Sequence, residues 1–250
     1  MTVEMLFVIF AELVVLIIGG ILSGILLGKY FINKNKKELF WATLALMAIT
    51  TKPLFFLLGQ IYFFLSGHAM ISGMIFKMGW QFSSICFVFF ITMFLATYLK
   101  VDLAQRRYFI NSMGVIIAIF CSFYEFGSWN LAFETDLILD PQINAFGRDV
   151  MLTIQGFIWL VIFGFFSIVF FSRVFTSSPA YRKTERFKGF LILGIVGLMI
   201  IFTDVPEIWA NLRTVSVYYL SLMWMALWFI FYYIGINKLF VLPARIDYES

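Results

Sequence analysis

Apolar runs long enough to cross a bilayer, separated by short polar connectors, set the pattern of this chain. Seven such runs fall near Met5–Gly28, Leu39–Leu65, Ser72–Leu99, Tyr108–Phe126, Val150–Ser172, Phe187–Thr203 and Val215–Ile236. A transmembrane helix needs about 20 predominantly apolar residues, so the pattern predicts an all-α, polytopic membrane protein with a seven-helix bundle. The sixth run is the shortest. The second, TLALMAITTKPLFFLLGQIYFF, carries Lys52 and Pro53 in its middle. The proline removes a backbone donor and predicts a bend. A lysine at that depth costs about 3 kcal/mol unless it is paired or reaches water.

Composition agrees with this reading. The 250 residues are 62% hydrophobic and 13% charged, against roughly 25% charged in a soluble domain. The whole of 1–250 reads as one transmembrane domain, with 239–250 as a short tail. The first run lacks a basic start and has full span length, so it reads as a helix rather than a signal peptide. Cys86 and Cys121 fall inside predicted spans and read as small buried hydrophobes, not as a disulfide framework. His68 is the single histidine and there is no CxxC pair, so no zinc, haem or di-iron site and no cofactor is expected. The net charge of +4 lies in short loops, which argues against a nucleic-acid partner.

Those loops give an orientation. Lys29, Lys34, Lys36 and Lys37 follow the first run; Lys100, Arg106 and Arg107 follow the third; Arg173, Arg182, Lys183, Arg186 and Lys188 follow the fifth; Lys238 and Arg245 follow the seventh. These fourteen of the 18 basic residues alternate regularly with loops that carry only Arg148 and Arg213. The positive-inside rule then puts the N-terminus outside and the C-terminus in the cytoplasm of a cell-membrane protein. The longest outer loop, Gly127–Asp149, carries Glu134, Asp136, Asp140 and Asp149 around Trp129 and Phe133. It reads either as a lid over the bundle or as a solvated connector. Trp80, Trp129, Trp159 and Trp209 read as interfacial anchors.

Depth, at about 1.5 Å per helical residue, collects the polar residues of the spans towards the outside. Glu12, Lys52, Lys77, Gln81, Glu125, Asp204 and Glu207 all fall in the outer half or at its edge. Lys77, Asp149, Asp204 and Glu207 can be boundary residues that snorkel to water. Glu12 and Lys52 sit on consecutive antiparallel helices at similar depth with opposite charge. They are read either as an internal ion pair that fixes packing or as the floor of a polar cavity open to the outside. Gly19, Gly20, Gly24 and Gly28 permit close helix approach, read as packing or dimerisation, with packing within the bundle the leading expectation. The phenylalanine runs at Phe87–Phe90 and Phe163–Phe171 read as core or lipid-facing surface.

Absent chemistry narrows the class. The seventh run, VSVYYLSLMWMALWFIFYYIGI, has no lysine for a retinal Schiff base. There is no HExxH, no paired-aspartate hydrolase motif and no nucleotide-binding glycine loop, so the chain is not expected to be an enzyme. No internal repeat of the kind found in transporters stands out.

Three stretches carry a resemblance: the end of the chain, IFYYIGINKLFVLPARIDYES; the fifth-to-sixth connection, SSPAYRKTERFKGFLILGIVG; and FWATLALMA at the start of the second run. Together with the seven-span layout they resemble the N-terminal seven-transmembrane sensor region of membrane histidine kinases and diguanylate cyclases. There a last helix leads through a Val-Pro-Val-Ala-Arg-like run into a cytoplasmic output domain. Leu239, Val241, Leu242, Pro243, Ala244 and Arg245 follow that run loosely. The sequence reaches Ser250 where such a domain would begin, so the resemblance implies a stand-alone sensor that signals through a partner. It carries over no site residue.

The expectation is therefore a receptor-like protein in the lipid bilayer. It would sense a small ligand in an outward-facing polar pocket of Glu12, Lys52, Lys77, Gln81, Glu125, Asp204 and Glu207, and report to a cytoplasmic signalling protein. A small transporter or channel using the same layer, and a membrane scaffold or assembly subunit, stay open beside it.

Overall fold

The computed structural model describes residues 3–102, 146–209 and 215–241. They form six long helices: α1 (Val3–Ile32), α2 (Lys37–Ser66), α3 (Ala69–Tyr98), α4 (Phe146–Phe175), α5 (Glu185–Trp209) and α6 (Val215–Ile236). A 3₁₀ turn at Tyr181–Lys183 precedes α5, and a π-helical turn at Asn237–Val241 continues α6. No strand occurs among the described residues. The predicted span at 108–126 and most of the predicted lid loop, with Glu125, Trp129 and Cys121, lie outside them. Four stretches, Leu6–Ile32, Lys37–Ser66, Gly156–Phe175 and Leu220–Val241, are long and apolar enough to cross a membrane. Phe82–Tyr98 is a shorter apolar stretch of α3.

Helices α1, α2 and α3 pack in sequence, α2 on α3 most extensively; α4 packs on α5, and α6 returns to lie between α5 and α1. Short connections enforce the antiparallel pairs. Between α2 and α3 only Gly67 and His68 intervene. Gly67 sits at φ +70, and its N–H bonds to the Phe63 carbonyl at 2.8 Å. That left-handed cap suits a residue without Cβ. Helix α2 continues through Pro53. Nearby, the Thr50 hydroxyl donates to the Leu46 carbonyl and the Thr51 hydroxyl to the Ala48 carbonyl. Such back-bonds keep hydroxyls satisfied where water is scarce.

The core is aromatic. Phe87 of α3 lies with its ring centroid 5.7 Å from Trp228, 5.9 Å from Trp159 and 5.4 Å from Phe163, joining α3, α4 and α6. One end of this column continues through Phe94, Phe170, Tyr98 and Phe240. Offset and edge contacts of this kind add about 0.5–1.5 kcal/mol per pair beyond burial. Trp159 is therefore a core residue, 4% exposed, and not the interfacial anchor its sequence position suggested. The phenylalanine runs split by face: Phe163, Phe166 and Phe170 are buried, whereas Phe165 is half exposed.

Glycine packing also differs from expectation. A Cβ on Gly19 would lie 2.8 Å from the Phe229 ring and would collide with Thr50, so α1 meets α2 and α6 here. Gly20, Gly24 and Gly28 face open space instead, and their small size serves no contact within the described bundle. Close approach recurs where a Cβ on Gly79 of α3 would collide with Phe55 of α2, and again at α5 and α6. A Cβ on Gly235 would meet Leu193 at 2.8 Å, and one on Gly189 would meet the Gly235 carbonyl at 3.1 Å.

The helix ends that carry the basic residues converge. Lys29 Nζ donates to the Tyr233 hydroxyl (3.0 Å) and to Asn237 Oδ1 (2.6 Å). Lys36 Nζ donates to the Phe240 carbonyl, a last-turn acceptor that helical geometry leaves without an internal donor. Lys238 pairs with Glu185, which also pairs with Lys188. The end of α6 is thus tied to α1, to the α1–α2 connection and to α5. The Lys188 and Lys238 ammoniums hold the Glu185 carboxyl, which lies at the start of α5 before its apolar stretch, down at about 2.

Two outcomes follow. Gly235→Val should lower the melting temperature, because overpacking costs about 1–3 kcal/mol, whereas Gly24→Ala should leave it unchanged or slightly raised. Because the Glu185 pKa is depressed when folded, its contribution is present above pH 4.5 and fades towards about 2. Melting temperature should therefore fall on acidification through that window, and Glu185→Gln should flatten the fall.

Candidate ligand site

A carboxyl group placed in apolar protein costs several kcal/mol unless it is hydrogen-bonded, so Glu12 marks where to look. Its side chain is completely buried on α1. It lies 17 residues before Lys29, or about 25 Å along the helix from the basic end. Gln60, near the end of α2, donates from Nε2 to Glu12 Oε1 at 3.2 Å. The other amide atom, Gln60 Oε1, is buried and has no hydrogen-bond partner among the described residues. An unused acceptor beside a buried carboxyl is a place for a donor from outside the chain.

The polar contacts extend to α3. The Ser72 hydroxyl donates to the Gly59 carbonyl, next to Gln60, at 2.7 Å and is buried. Deeper, the hydroxyls of Thr51 and Ser83 share a hydrogen bond of 2.7 Å. A polar seam therefore runs from Glu12 across Gln60 and Gly59 to Ser72, at the end of the bundle away from the lysines.

Lys52 is not level with Glu12. Gly19 opposes Thr50 and Glu12 opposes Gln60, so Lys52 lies eight residues, about 12 Å along α2, from the position that faces the carboxyl. It is half-buried, and its ammonium stands 5.9 Å from the centre of the Phe56 ring. The hydrogen bond that Glu12 accepts comes from the position of α2 that faces it, Gln60. The seam brings Glu12 to Gln60.

Lys77 and Gln81 lie in α3, and Asp204 and Glu207 lie in the last turns of α5, but the side chains of these four are outside the described residues, as is the whole of Glu125. Sequence reasoning missed Gln60 and Ser72. Both were visible as polar residues inside or at the edge of an apolar run. Both lie near the ends of their runs, where a polar residue is ordinary. Among the described residues no three His, Cys, Asp or Glu side chains come together as a metal site. What the seam offers is hydrogen bonding to a small polar group.

Gln60→Leu should lower the melting temperature, since removing a donor from a buried carboxyl costs about 1–3 kcal/mol. The double variant Glu12→Leu/Gln60→Leu should lose less than the sum of the two single losses, as coupled neighbours do. Additive losses in thermal unfolding would mean that the pair does not interact.

No protein-family model, no curated protein and no solved structure matches the chain.

Proposed function

We propose that the chain is a receptor-like, seven-span membrane protein that binds a small polar ligand at the Glu12–Gln60 seam and reports the binding at its basic end. The observation that carries the reading is the completely buried Glu12, hydrogen-bonded to Gln60 beside an unused amide acceptor. An ionisable group inside a membrane bundle is a functional candidate by default, because its burial costs stability.

The seventh crossing is supported by the ends of the described helices. The C-terminal parts of α3 and α4 meet at the basic end, where Tyr98 lies 5.3 Å from Phe170 between ring centroids. The chain leaves α3 at that end and enters α4 at the other, which on this reading calls for one more passage between them. The apolar run at 108–126 suits that passage. The convergence of Lys29, Lys36 and Lys238 supports a cytoplasmic assignment of the basic end, with the Glu12 seam facing outward.

Reporting needs an element that can occupy two arrangements. The end of α6 is suited to it. Three ties hold it, and its π-helical turn departs from the regular ladder. A ligand that repositions α1 at Glu12 moves the same helix that carries Lys29.

The test is thermal stability of the purified protein against a panel of small zwitterionic, anionic and cationic compounds, with Glu12→Gln and Lys52→Gln in parallel. A compound that raises the melting temperature of the wild type, and does so at least tenfold less potently for Glu12→Gln, supports the site. Accumulation of that compound inside vesicles would assign transport instead. If no compound stabilises the wild type while the Glu12 and Gln60 variants only unfold more easily, the seam is structural and the protein is a scaffold.

A further inference from the structure

Three of the cations at the basic end are engaged within the bundle, whereas Lys34 and Lys37 are exposed. Lys29, Lys36 and Lys238 direct their ammoniums to Asn237, to the Phe240 carbonyl and to Glu185. Along the α4–α5 connection the picture is different. Arg182, Lys183 and Arg186 are exposed, and no hydrogen bond or ion pair among the described residues engages their side chains. From Arg173 to Lys188 there are five cations and a single carboxylate, Glu185.

This connection is a built feature. The Ser178 hydroxyl accepts the Tyr181 N–H at 3.3 Å. The Tyr181 ring stacks on Phe190, with centroids 6.3 Å apart, and so fastens the 3₁₀ turn to the core. The Thr184 hydroxyl donates to the Tyr181 carbonyl at 2.8 Å and accepts the Phe187 N–H at 3.3 Å, capping the start of α5. With Tyr181 anchored inward, the next two residues, Arg182 and Lys183, are held outward.

Their height along the bundle identifies what they meet. Exposed apolar side chains cover the outer faces of both helices up to this point: Phe165 and Ile168 on α4, then Phe175 at its end, 78% exposed, and Leu191, Ile195 and Leu198 on α5. Arg186 precedes Leu191 by five residues, about 7 Å. The cations therefore begin where uncovered apolar surface stops. That is the level of headgroup phosphates beside acyl chains, and long basic side chains are suited to reach it. An acidic protein would match the charge but would leave Phe175 uncovered, whereas lipid covers the ring and meets the charge together.

We infer that the α4–α5 connection, through Arg182, Lys183 and Arg186, is a binding surface for anionic lipid headgroups. This surface is independent of the ligand seam near Glu12. Each such cation is worth about fivefold in affinity near an anionic surface, and the attraction weakens with salt.

The test begins with wild-type protein released from mixed micelles of phosphatidylglycerol and phosphatidylcholine into native mass spectrometry. Retention of the anionic lipid at least tenfold over the zwitterionic one is expected, and equal retention overturns the inference. Next, melting temperatures are measured in nanodiscs of phosphatidylcholine with and without phosphatidylglycerol. The wild type should be stabilised by the anionic lipid at low salt and less so at high salt. The triple variant Arg182→Gln/Lys183→Gln/Arg186→Gln should lose most of that difference, while Lys34→Gln/Lys37→Gln at the same end should keep it. Equal losses in the two variants overturn the assignment to this connection. If the triple variant does not fold, Lys183→Gln alone is compared by lipid retention; a value unchanged from wild type counts against the surface.

Discussion

A backbone carbonyl in hydrocarbon has no water to turn to, and the rest of this structure answers that constraint. It makes every described segment of any length a helix. It explains why the hydroxyls of Thr43, Thr50 and Thr92 fold back onto carbonyls four residues earlier. It also explains the use made of lysine at the basic end. The last turn of a helix leaves carbonyls without internal donors, and Lys36 reaches across from another helix pair to supply one at Phe240. Two other contacts bridge helices in the same way, from the Tyr232 hydroxyl to the Ala42 carbonyl and from the Trp224 indole to the Met199 carbonyl. Each pins α6 to a neighbour without adding a charge.

Within this frame, shape rather than water exclusion decides which helices touch. Lipid is as apolar as leucine, so helices gain from contact only where surfaces interlock. The glycines of α5 and α6 and the stacked rings around Phe87 supply that fit. Helix α1 has less of it. Its glycines at 20, 24 and 28 face outward, and its hold on the bundle combines the buried Val8, Ala11, Val15 and Leu26 with Gly19, Glu12 and Lys29. The polar contacts at the two ends of α1 thus matter more to its placement than its apolar length suggests.

The sequence made the helices legible because apolar length is a one-dimensional signal. Loop charge was legible for the same reason, and the lysines that alternate along the chain do gather at one end. Facing was not legible. Glu12 and Lys52 looked level when depth was counted from span ends, yet Thr50 opposes Gly19 and Gln60 opposes Glu12. Helix rotation and offset are set by packing between helices, which no single run encodes. Trp159 shows the same limit: its position along the span was readable, but its neighbour Phe87 comes from the packing of α3 against α4. Gln60 escaped notice because it lies near the end of its run, where a polar side chain is ordinary.

The π-helical turn at Asn237–Val241 has a geometric consequence. It holds one more residue per turn than the α-helix before it. That extra residue turns the following backbone by about 100° around the helix axis relative to an uninterrupted α-helix. Val241 therefore points in a heading fixed by how the turn is wound rather than by the tilt of α6. Unwinding it by one residue would swing that heading through a quarter of a circle while the helix itself stayed in place.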